Sequence, residues 1–171
     1  MTGVQTCALP ISHAQFVAAI PAAERTDLLA AYGKRLFSDD ARESLEAARG
    51  WSRYEGSCVH LLPDPEALQE FDSPAVALGV GRLEAHYFLN DGFLEPDQLV
   101  RNIGLLRRIP AIIVQGRYDV ICPPATAWHL HQAWPQARLQ IIEDAGHSAF
   151  EPGTEAALLV ATNQFRDRQR F

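Results

Sequence analysis

A chain of 171 residues is long enough for one domain of ordinary size, and an apolar share of 47% supplies a packed core. The net charge of -6 argues against a nucleic-acid binder, which presents a basic face. No apolar run approaches the roughly 20 residues of a membrane-spanning helix, so no membrane partner is expected.

In chain order, Met1 to Ser12 ("MTGVQTCALPIS") comes first and shows no clear period. It resembles a leader produced when sequencing adapter is read as coding sequence in environmental DNA. Residues 1–12 are therefore expected to be non-native, and the chain to be a C-terminal piece. Residues 13–97 read as helical. Leu28, Leu29, Tyr32 and Leu36 fall at helical spacing after Pro21, which suits a first turn. Asp40 with Glu43 predicts a capped helix through Leu45, Ala48 and Trp51. "DPEALQEF" predicts a short helix. A longer one follows from Ser73 as N-cap and Pro74, with Val76, Val80, Leu83 and Tyr87 as its apolar stripe and "NDG" as its end.

From residue 98 the rhythm changes. "QLVRNIGLLRRI" predicts an amphipathic helix stopped by Pro110. "AIIVQG" is apolar, short and bounded by Pro and Gly, which predicts a buried strand. "PATAWHLHQAW" predicts a helix, "ARLQII" a second strand, and "GTEAALLVATNQFRDRQ" a last helix capped by Thr154. Strand, helix, strand, helix at this spacing is a parallel unit, so the fold class is α/β.

Ligands of open parallel sheets bind outside the carboxyl ends of the strands. Asp119 lies just past the first strand and His147 just past the second. A loop Asp is common turn chemistry and a loop His is commonly structural. Together, in this order, they match the acid and base of a hydrolase triad, in which the acid orients the imidazole. The other tempting groups fall away. Cys7, Cys58 and Cys122 form no CxxC pair and read as reduced thiols of a cytoplasmic protein. Cys122 is three residues past Asp119 but opens no helix directly, so it reads as a structural thiol near the site. His129 and His131 are two apart and point differently on a helix, while His60 and His86 have no neighbouring ligands. No metal is expected.

"GRYDVICP" and "DAGHSAFEPG" closely resemble the acid and histidine motifs of the prolyl aminopeptidases, also called proline iminopeptidases. These are α/β-hydrolases that remove N-terminal proline from peptides. "IPAAERTDLLAAY", "ARGWSRYEGS" and "RLEAHYFLNDGFL" are similar to that family's helical cap, and the resemblance runs from about Phe16 to Phe165. It implies a partial α/β-hydrolase, with a cap over residues 13–97 and the last strand-helix-strand-helix unit over 98–171. It implies Asp119 as triad acid, His147 as triad base, and Glu55 and Glu84 as the carboxylates that hold the substrate's amino end. Phe88 would wall the proline ring. No cofactor is implied, and the partners are peptides beginning with proline.

Chemistry supports the assignment of the glutamates. A prolyl N-terminus is a secondary ammonium, for which carboxylates are charge-assisted partners. Glu84 and Phe88 are four apart and share a helix face. Their bland alternative is a solvated helix surface. The departures matter as well. No G-x-S-x-G elbow and no HGGPG-like oxyanion segment occurs in these residues, and Ala85 stands where the family usually has a polar side chain. The chain alone is therefore expected to be inactive. The alternatives are another capped α/β-hydrolase, such as an esterase or epoxide hydrolase, or a non-catalytic helical binding module.

Overall fold

The computed structural model describes the backbone of residues 3–168 and the side chains of residues 11–167. The chain divides into two compact units. One holds the residues up to 57 together with 62–95, the other 58–61 together with those from 96 onward. The short strap at 58–61 is assigned away from its chain neighbours, which no local pattern signalled.

The first unit is helical. Helix α1 (Gly3–Ala18) takes in residues on both sides of Ser12. Pro21 leads a short turn, Ala22–Glu24, and not the next helix. Helix α2 (Leu28–Leu36) starts where Asp27 accepts a hydrogen bond from the Ala30 amide at 3.0 Å. The Asp40 carboxylate accepts from the Arg42 amide at 2.8 Å and so opens α3 (Ala41–Val59). Asp64 caps α4 (Pro65–Phe71) in the same way. Helix α5 (Pro74–Phe88) has Ser73 at its N-cap position, but the serine side chain makes no capping bond; proline at the first position suffices.

Of the apolar stripe expected along α5, Val80 packs partly buried against the core, but the fully buried face is a different one. Ala77, Gly81 and Ala85 are buried, whereas Leu83 is 63% and Tyr87 51% exposed. The stripe followed side-chain size. The spacing between packed helices is set by the residues at the contact, and small ones let α5 lie close against α2. These residues close a core of Ile20, Ala31, Tyr32, Leu36, Ala47, Ala48 and Trp51. Tyr32 stacks on Phe16 with ring centroids 4.3 Å apart and donates its hydroxyl to the Phe16 carbonyl at 2.8 Å. Burial pushes its phenol up to about 12.

In the second unit the helix expected over residues 98–109 is broken. Helix α6 covers only Gln98–Arg101, and Ile103–Leu105 forms a short turn. Asn102 and Gly104 interrupt it, and Leu105 is 83% exposed, so no packed face repays helix nucleation. Strand β1 (Ala111–Gly116) and strand β2 (Ala137–Ile142) follow, joined by α7 (Pro124–Ala133). They pair in parallel from Ala111 opposite Ala137 to Gly116 opposite Ile142. Helix α8 (Pro152–Arg168) starts before Thr154, which therefore lies in the first turn and is not the cap. Ile142, Ala145 and Ala157 form the core here, with Val114 against them. Because the strands are parallel and in register, their carboxyl ends share one edge.

Candidate active site

Past that edge the two chains of the ladder stay together. The Arg117 amide donates to the Ile142 carbonyl at 2.9 Å and the Tyr118 amide to Ala145 at 3.0 Å. Contact between the turns is backbone to backbone. A Cβ on Gly116 would lie 1.9 Å from the Gly146 carbonyl oxygen, and one on Gly146 would lie 2.9 Å from the Leu61 nitrogen. Only glycine admits this approach.

The approach brings Asp119 and His147 together. Asp119 Oδ2 is 3.0 Å and Oδ1 3.2 Å from His147 Nδ1. With its proton on Nδ1 the imidazole donates to the carboxylate, which leaves the Nε2 lone pair to act as a base. Asp119 is 8% exposed and held from its other sides as well. Its Oδ1 accepts from the amides of Ile121 at 3.0 Å and Cys122 at 2.8 Å, and its Oδ2 from Gln115 Nε2 at 3.2 Å. Gln115 was missed as a site residue. Its signal was a lone amide side chain in an otherwise apolar strand. His131, by contrast, has Nδ1 at 2.8 Å from the Ala137 carbonyl, a structural contact.

Within the first unit, Glu84 and Phe88 meet at Trp51. The indole Nε1 donates to Glu84 Oε2 at 2.6 Å, and the Trp51 and Phe88 ring centroids are 6.2 Å apart. Glu55 is on the same helix as Trp51, four residues on, and is half-buried. The two carboxylates thus come from different helices, Glu55 from α3 and Glu84 from α5. Trp51 was read only as a position along the predicted helix; nothing local ties it to a glutamate 33 residues away. Ala85, the departure beside Glu84, is fully buried and belongs to the core, so a polar side chain is not missing from that surface. A cavity of about 930 Å³ also opens on this unit, lined by Phe16, Glu46, Arg49, Arg53, Tyr54 and Asp72 among others. Neither Glu55, Glu84 nor Phe88 is part of its wall.

An acid-base pair at the carboxyl edge of a parallel sheet is the arrangement that α/β-hydrolases use. The chain belongs to the alpha/beta hydrolase fold family, whose model matches residues 11–154. Among individual proteins it is similar to the proline iminopeptidase of Xylella fastidiosa (strain Temecula1 / ATCC 700964), at 47% identity over 157 residues, 91% of this chain and 50% of the relative. It is 45% identical to the Arabidopsis thaliana proline iminopeptidase over 159 residues, 92% of this chain and 42% of the relative. The Neisseria gonorrhoeae proline iminopeptidase is 40% identical over 160 residues, 93% of this chain and 50% of the relative. The chain spans about half the length of the curated relatives it matches.

Proposed function

We propose that this chain is the C-terminal part of a serine-type aminopeptidase that releases N-terminal proline from peptides in the cytoplasm. The observation that carries the reading is the Asp119–His147 contact at 3.0 Å on the shared strand edge. The relatives' names supply the substrate. In the reaction a serine from outside these 171 residues attacks the prolyl carbonyl, since no elbow motif lies within them. His147 Nε2 takes the serine proton and returns it to the departing amine, while Asp119 holds the imidazole and offsets its positive charge. Glu55 and Glu84 accept hydrogen bonds from the substrate's secondary ammonium. Phe88 covers the apolar side of the pyrrolidine ring. None of these steps calls on a cofactor.

The test is a hybrid in which residues 13–171 stand behind the remaining half of the Xylella fastidiosa relative. It should release proline from a prolyl amide, and His147→Ala should lower kcat by at least about 10³-fold. The 171-residue chain alone should release none. A hybrid that turns over simple esters or epoxides but no prolyl amide would overturn the reading.

A further inference from the structure

We infer that Glu151 is a positioning residue for His147, an inference that rests on His147 being the catalytic base. The carboxylate bridges two segments far apart in sequence. Its Oε1 accepts from the Leu61 amide at 2.8 Å, and its Oε2 from the Gly146 amide at 2.5 Å. Gly146 is the residue immediately before His147. On the other side of the same strap, the Val59 carbonyl accepts from the His147 amide at 2.9 Å and the Ser148 amide at 3.0 Å. The backbone around the base is thus gripped from both sides of the 58–61 segment, and Glu151 supplies one of the two grips.

Glu151 is well placed to act as a fixed post. It directly precedes α8, and its own carbonyl accepts from the Glu155 amide at 2.9 Å, so its backbone belongs to the start of that helix. A carboxylate has an acceptor oxygen for each amide. Glutamine has only one, and its NH₂ would face an N–H. A near-isosteric change therefore breaks one grip and sets donor against donor. Asp119 is held separately, by the Ile121 and Cys122 amides. None of these bonds to the acid runs through Glu151, so loosening Glu151 acts first on the base. The two Gly contacts leave no slack. The Gly146 carbonyl already abuts Gly116, so a loosened loop can move only away from the strand end.

The experiment uses the 171-residue chain with ¹⁵N-labelled histidine. The His147 Nδ1 proton, donated to Asp119, is followed by NMR, and its exchange with water is measured. Glu151→Gln should speed that exchange by about tenfold or remove the signal, as loss of a charge-assisted bond at a buried amide implies. Ala157→Gly, in the core of the same unit, controls for general destabilisation and should leave the exchange within about twofold at an equal or larger loss of melting temperature. Glu151→Asp, which keeps both acceptor oxygens, should fall between the parent and the Gln variant. Equal effects of Glu151→Gln and Ala157→Gly would make Glu151 merely structural and overturn the inference. Loss of fold in both Glu151 variants would do the same. Absence of the Nδ1 proton in the parent chain is a different outcome. It would sink the acid-base pair itself, and Glu151 would then hold a loop with nothing to position.

Discussion

Two carboxylates at the centre of the proposed chemistry are held in opposite ways. Asp119 is fixed by its neighbours in sequence: amides two and three residues ahead, and a glutamine four behind. Glu84 is held by the indole of Trp51, from another helix. The first arrangement is a turn that binds its own side chain, so it forms wherever the strand end forms. The second exists only if α3 and α5 pack correctly. Asp119 is pre-organised toward His147. Glu84 is held by a neighbour from another helix and is only partly buried.

Breaking the first carboxylate should have the largest effect. In the hybrid enzyme, Asp119→Asn keeps the shape and the turn contacts to one oxygen but presents an amide to Nδ1. The imidazole then loses its reason to keep the proton on Nδ1. We expect kcat to fall about 10⁴-fold with little change in KM. A loss below tenfold would mean that Asp119 is only a turn residue.

Breaking the second should act on binding. Glu84→Gln removes the charge proposed to meet the substrate ammonium and keeps an oxygen that the Trp51 indole can reach. A hydrogen bond to a charged group contributes about 1.5–3 kcal/mol, so KM for a prolyl amide should rise roughly 10- to 100-fold, with kcat nearly unchanged. Should kcat fall instead, with KM constant, Glu84 would belong to the chemical step and the contrast with Asp119 would collapse.

The same contrast explains what the sequence revealed. Both strands, their order, the helix between them and the meeting of Asp119 with His147 follow from local pattern: apolar runs bounded by proline and glycine, with polar residues at their ends. Those signals need no knowledge of distant residues. What stayed hidden is non-local. The buried face of α5 is Ala77, Gly81 and Ala85, because the neighbouring helix decides which face must be thin. The strap at 58–61 joins the second unit through bonds to Glu151 and to the His147 loop, up to 90 residues away. Trp51 read as one position of its helix; it is core, being 8% exposed, and its nitrogen also serves Glu84. The helix expected over residues 98–109 failed for the converse reason: its pattern was helical, but Leu99, Leu105 and Ile109 stay exposed, so little burial repays it.

The two units should also differ in how pH reaches their stability. The first has a buried phenol in its core. In the unfolded chain Tyr32 ionises near its ordinary value of 10.0, but in the fold it keeps its proton up to about 12. As pH rises from 10 to 12, the unfolded state sheds a proton that the folded state retains. Stability fully present below pH 10 is therefore lost across that window, by up to about 2 kcal/mol. Tyr32→Phe should be less stable at neutral pH, because the Phe16 carbonyl loses its donor, yet should show a flatter decline from pH 10 to 12. Thermal or urea unfolding at stepped pH measures both. An identical decline in the variant would place the alkaline sensitivity elsewhere.

The smallest expected effect sharpens the comparison most. Trp51→Phe keeps an aromatic ring near Phe88 and deletes only the indole N–H and part of the ring system. If Trp51 acts on substrate through Glu84, its loss lets the carboxylate take other rotamers without removing its charge. A net hydrogen-bond contribution of about 1 kcal/mol then gives a rise in KM of roughly three- to tenfold, smaller than that of Glu84→Gln, and no change in kcat. Packing is also disturbed, because Trp51 lies in the core, so melting temperature should fall whatever the mechanism. The double variant separates the two effects. Residues that act through one another are not additive, so Trp51→Phe should add little to KM once Glu84 is already Gln. Fully additive changes would mean that Trp51 contributes packing alone, and that Glu84 needs no neighbour to hold it in place.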